Sequence, residues 1–143
     1  MKRSPHQLQR TASPVLSLRA QEDGVVRGYG SVFGVQDGHG ERVMPGAFAA
    51  SIAEKGPEGV AMLWQHRADE PIGAWTDLRE DGHGLYVEGA INTETQRGRE
   101  ALSLIRQGGL SGLSIGFVPG EHRRGEDSVK ELLAVDLWEV SVV

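Results

Sequence analysis

The sequence contains no cysteine in its 143 residues. That excludes thiol proteases, disulfide frameworks, zinc ribbons and dithiol redox motifs, and it suits a reducing compartment. No apolar run approaches the ~20 residues a membrane helix requires. The first fourteen residues carry charge without the apolar centre of a signal peptide, so no membrane partner is expected. There is no H-E-x-x-H and no EF-hand loop. Asp37, His39 and Glu41 alternate, but in a glycine-rich loop whose simpler reading is a turn, so no metal is expected. Gly28-Tyr29-Gly30 lacks the spacing and the helix of a phosphate cradle, and no cofactor is expected. A net charge of -5 argues against a nucleic-acid partner held by phosphate contacts.

What is present is globular in composition, at 38% hydrophobic and 24% charged residues. The length fits one domain. Twenty glycines point to turns, bulges and close backbone approaches rather than helical bundles. Residues 1–14 are polar, with Pro5 and Pro14, and read as a flexible arm; residues 15–143 read as a single domain.

Within that domain, residues 15–18 and 25–33 are strand-like, separated by Glu22-Asp23-Gly24. Residues 47–55 have helical composition and stop at Gly56-Pro57. Residues 60–66, 71–78 and 85–91 read as a three-stranded meander, with Val60, Met62, Trp64 and His66 on one face. Residues 93–107 form the clearest helix. Asn92 or Thr93 can cap it, Ala101, Leu104 and Ile105 give its stripe, and Gly108-Gly109 ends it. Residues 110–118 are strand-like, residues 120–128 a charged loop, and residues 129–143 a long final strand with room for one break. Two short helices among this many strands argue against a doubly wound sheet. The expected class is mainly β with flanking helices, as a small β-barrel or a strongly bent antiparallel sheet.

Gly112-Leu113-Ser114-Ile115-Gly116 spells G-x-S-x-G. The nucleophile elbow of α/β-hydrolases does not fit. A loop, not a helix, follows, and His122 is the only histidine downstream. In a strand, Gly112, Ser114 and Gly116 share one face, so the hydroxyl stands on a strip cleared of side chains that another backbone can approach. A bulge with an incidental serine is the plainer alternative. A nucleophilic serine needs a base, and histidine serves best near neutral pH. His6 lies in the arm, His39 and His83 in glycine-rich turns, and His122 beside Arg123 and Arg124. His66, ending a strand-like run, is the candidate, with a structural histidine as the alternative. On the final strand Val135, Leu137, Glu139 and Ser141 share a face. A carboxylate on an apolar face needs a partner, and His66 could be that partner; an exposed edge glutamate is the alternative.

These segments resemble the prohead (capsid maturation) proteases of tailed bacteriophages. The matching stretches run in order: Gly28-Tyr29-Gly30-Ser31-Val32-Phe33-Gly34, Val43-Met44-Pro45-Gly46-Ala47-Phe48, Met62-Leu63-Trp64-Gln65-His66 with Pro71-Ile72-Gly73, and Gly84-Leu85-Tyr86-Val87. Gly112-Leu113-Ser114-Ile115-Gly116-Phe117 and Leu137-Trp138-Glu139-Val140-Ser141-Val142-Val143 are the strongest. The resemblance implies a β-barrel distantly similar to herpesvirus assemblins. It implies a serine endopeptidase with His66, Ser114 and Glu139 as catalytic residues, where herpesvirus relatives use a second histidine in place of the acid. It implies cleavage of the scaffolding segment of the major capsid protein and of the protease itself, inside the assembling procapsid in the bacterial host cytoplasm. Analogy with the herpesvirus relatives admits a homodimer. A non-catalytic capsid-assembly component keeping the fold is the alternative, and a small esterase a more distant one. Backbone N–H groups are expected to bind the oxyanion; the 120–125 loop, with Arg123 and Arg124, is a candidate for that site, with solvated basic side chains as the alternative. Family members usually continue into a polar, proline-containing tail. This sequence stops at Val143, which points to a trimmed or processed chain.

Overall fold

The computed structural model describes residues 8–12, 19–20 and 23–143. The strand-like run expected at 15–18 lies outside the described residues, as does part of the turn expected at 22–24.

Eight strands form one sheet, curled into a half-barrel, in the order β1-β8-β11-β5-β6-β7-β3-β2. They are β1 (Gln9–Ala12), β2 (Arg19–Ala20), β3 (Val25–Val32), β5 (Ala61–Trp64), β6 (Arg67–Glu80), β7 (Gly84–Ile91), β8 (Leu113–Pro119) and β11 (Val135–Val142). A second sheet orders β4 (Glu41–Val43), β10 (Lys130–Leu132) and β9 (His122–Arg124) as β4-β10-β9. The expected mainly-β class with two flanking helices holds. The large sheet keeps two edges rather than closing, and one of its pairs, β11 with β5, is parallel. Four residues of the expected flexible arm, Gln9–Ala12, form the strand β1 at one of those edges.

The core fills the concave side of the half-barrel. Leu113, Ile115 and Phe117 of β8 are buried in it, as their alternation requires, with Phe48, Met62, Ile72 and Leu85. The long final strand is broken at Leu133-Ala134, so β10 joins the small sheet and β11 the large one.

Helix α2 (Gln96–Gln107) packs Ala101, Leu102 and Ile105 into the core. It starts later than its composition suggests. Thr95, not Asn92 or Thr93, caps it, its Oγ1 accepting from the Gly98 N–H at 3.0 Å. Asn92 instead turns the chain, its Oδ1 accepting from the Glu94 N–H at 2.9 Å. Thr95→Ala strips the first turn of that acceptor and is expected to cost about 1 kcal/mol, read as a lower urea midpoint at unchanged slope.

Helix α1 (Ala49–Lys55) has a positional role. Register between β8 and β11 slips by one residue between Leu137 and Glu139, a β-bulge at Trp138. Side chains one helical turn apart on α1 satisfy the backbone there. The Ser51 Oγ accepts from the Leu137 N–H at 2.9 Å, and the Lys55 Nζ donates to the Leu137 carbonyl at 2.7 Å. The bulge is thus a built feature with its polar groups paired.

Candidate active site

The bulge decides where Glu139 points. Simple alternation puts Glu139 with Val135 and Leu137. The extra residue at Trp138 shifts the phase, so Val140 and Val142 join Leu137 in the core and Glu139 and Ser141 go to the other face. There Glu139 pairs with Gly116 across β8, and Ser141 with Ser114. Directly opposed residues share a face, so acid and serine meet.

The strip cleared by glycine takes a side chain rather than a backbone. A Cβ on Gly116 would lie 2.4 Å from the Glu139 Cγ. The absence of that Cβ is what lets the glutamate lie across β8.

His66 arrives from a different device. It does not continue the strand face of Met62 and Trp64. Gln65 and His66 are the two residues between β5 and β6, with φ of 50° and 62°. Positive φ at both central positions is the signature of the type I′ hairpin turn, which non-glycine residues adopt at a cost of order 1 kcal/mol each. The ring thereby points back over the sheet. Its Nε2 lies 2.7 Å from the Ser114 Oγ, and its Nδ1 is hydrogen-bonded to the Glu139 Oε1. A carboxylate only accepts, so Nδ1–H donates to it and Nε2 is left to accept from the serine hydroxyl. Ser114 and Glu139 are each only 4% exposed, and His66 is partly buried. A carboxylate that enclosed must be paired, and the histidine supplies the partner.

All three sequence-predicted residues are therefore brought together. Two further contributors were not foreseen. Ser141, wholly buried, donates its hydroxyl to the Glu139 Oε1 at 3.0 Å and fixes the carboxylate from behind; its matching phase with Glu139 on the final strand was the available signal. Arg10 of β1 places its Nε 4.0 Å from the same oxygen. It lies in a polar segment with no periodicity, so nothing in the sequence announced it.

The 120–125 loop is not part of this site. It follows the far end of β8, about 17 Å along the strand from Ser114 at ~3.3 Å per residue. Arg123 is bonded to Glu131 at 2.7 Å, and Arg124 to the Ser128 carbonyl at 2.8 Å. Hydrogen bonds from Arg123 and then Arg42 hold the Glu131 carboxyl below the usual range. The other histidines lie elsewhere: His83 packs edge-on against Tyr29, His39 touches β1, His122 is exposed, and His6 lies outside the described residues. Among the described residues no group of three or more histidine and acidic side chains could hold a metal. No helix there is long and apolar enough to cross a membrane.

The serine–histidine–carboxylate line lies on the face of β8 and β11 opposite the core. The family model for caudovirus prohead serine protease matches residues 14–143. The chain belongs to that family. The prohead protease of Enterobacteria phage HK97 is 35% identical over 97 residues, which is 67% of this chain and 43% of that protein. The chain spans less than half the length of this relative. The bacteriophage T4 capsid assembly protease, gp21, superposes with a TM-score of 0.69 at 14% identity, over 96% of this chain and 98% of that one. At that identity the likeness is one of fold. The prohead protease fold here is thus the half-barrel of β8, β11, β5 and their neighbours, with Ser114 and Glu139 on the β8–β11 pair and His66 reaching them from the β5–β6 turn.

Proposed function

We propose that this chain is a serine endopeptidase of capsid maturation. The observation that carries the reading is the unbroken hydrogen-bonded line from Glu139 through His66 to Ser114, in a member of the prohead protease family. Ser114 Oγ attacks the scissile carbonyl while His66 Nε2 takes the hydroxyl proton. Glu139 holds the ring in the productive tautomer and offsets the charge of the imidazolium. The tetrahedral adduct collapses as His66 returns the proton to the leaving amine, and the acyl group stays on Ser114. Water then attacks the acyl carbonyl while His66 Nε2 takes its proton, and as the acyl–oxygen bond breaks His66 returns that proton to Ser114 Oγ, releasing the new carboxylate. Ser141 acts through Glu139 as a positioning residue, because a buried carboxylate with two donors has little freedom to rotate.

The substrates this reading takes from the family are the scaffolding segment of the major capsid protein and the protease itself, cut inside the procapsid in the host cytoplasm. The test is intact mass spectrometry of capsid protein co-expressed with the protease, wild type against Ser114→Ala. Trimming with the wild type that vanishes with the variant is expected, and the new terminus gives the cleavage site. Equal trimming by both would remove Ser114 as nucleophile.

A further inference from the structure

Strand β1 lies antiparallel along the outer edge of β8, with Arg10 opposite Gly116 and Ala12 opposite Ser114. The other edge of β8 is taken by β11, so this is the edge along which a strand can lie beside the serine. None of the β1 residues is buried, and two of the four are exposed. The strand is held by polar contacts rather than by the core.

Those contacts come from the β3–β4 loop and the start of β4. Asp37 and His39 of the loop and Glu41, the first residue of β4, each bond to β1. Glu41 accepts from the Gln9 amide, Asp37 Oδ2 accepts from the Thr11 hydroxyl at 3.3 Å, and His39 Nε2 donates to the Arg10 carbonyl at 3.1 Å. On the opposite side of the strand Arg10 faces Glu139. With β1 in place Ser114 is 4% exposed. A groove of about 610 Å³ lies elsewhere, between α1 and the Trp138 region, and neither Ser114 nor His66 lines it.

We propose that the outer edge of β8 is the docking edge for an extended peptide and that the chain's own residues 9–12 occupy it as a tethered competitor. A substrate segment adds to this edge as β1 does, by main-chain pairing. Asp37, His39, Glu41 and Glu139 then set its chemistry. Amide or hydroxyl side chains at alternate positions meet Glu41 and Asp37, and a basic residue two positions before the one opposite Ser114 meets Glu139. This rests on the reading of Ser114 as a nucleophile toward peptides, while the docking itself requires no chemistry.

The test uses the full chain carrying Arg10→Pro with Thr11→Pro. Proline removes the N–H that pairs along the strand, whichever of the two positions donates. A fluorescent peptide of residues 8–14 added in trans is expected to bind this variant at least about tenfold more tightly than wild type, since the competitor no longer occupies the edge. A second full chain, Gln9→Ala with Thr11→Ala, loosens the clamp without proline and is expected to fall between the two. A serine-directed phosphonate should label Ser114 correspondingly faster in both variants. Equal peptide affinities across the three proteins would overturn the docking proposal. Tighter peptide binding with no labelling of Ser114 in any of them would support the docking edge and overturn the protease reading instead.

Discussion

Glu139→Gln is expected to lower kcat for peptide cleavage by about four orders of magnitude, with KM and melting temperature close to wild type. The side chain keeps its volume in a site with no room to spare. It loses the charge that offsets the imidazolium where water cannot substitute for it. The amide can also donate to Nδ1, leaving Nε2 protonated toward Ser114 and unable to accept. The measurement is steady-state hydrolysis of a peptide spanning the mapped cleavage site, alongside thermal melting. A loss below about tenfold would take Glu139 out of the mechanism and leave it a structural carboxylate.

The second large effect concerns a residue with no chemistry of its own. In Gly116→Ala the new Cβ would sit 2.4 Å from the Glu139 Cγ and 2.6 Å from its Cδ. Neither strand can yield without losing its pairing, so the glutamate must swing away. We expect about 1–3 kcal/mol of lost stability from overpacking. We also expect at least about a thousandfold loss of kcat, because a misplaced third member removes the orientation of the base. The control is the other glycine of the same motif. In Gly112→Ala the added Cβ meets the Val143 Cγ2 at 3.3 Å, a contact that a small shift relieves. Cleavage near the wild-type rate is expected there. Equal activity of the two variants would mean that Gly116 does not make room for the acid.

The two glycines also mark where sequence reasoning succeeds and where it stops. Alternation identified the buried face of β8 and the cleared strip bearing Ser114, because a regular strand counts by two. The same rule put Glu139 on the apolar face, because a bulge at Trp138 adds a residue that no count can register. The reading that Glu139 wants a partner, with His66 as a candidate, does not depend on that face, because it rests on the cost of an unpaired buried charge; the structure pairs the two. His66 was placed on a strand because Gln65-His66 carries none of the Asn-Gly chemistry that announces a type I′ turn. The break at Leu133-Ala134 and the parallel pairing of β11 with β5 depend on contacts between segments far apart in the chain, which local pattern does not encode. The polar residues 9–12 form a strand for the same reason: the partners that hold them, on β8, the β3–β4 loop and β4, are distant in sequence.

The position of β11 governs when the three side chains can meet. It is the last of the described strands to be synthesised, yet it stands between β8 and β5 and is their sole bridge in the sheet. Before it emerges from the ribosome, the segment carrying Ser114 and the hairpin carrying His66 have no common neighbour to align them. At synthesis rates of about 5–20 residues per second, the described elements before β11 can collapse and fold in part without bringing the three side chains together. Insertion of β11 then brings Glu139 beside Ser114 and His66 in a single step. On the proposed function, the growing chain holds no assembled catalytic centre until that strand is laid down.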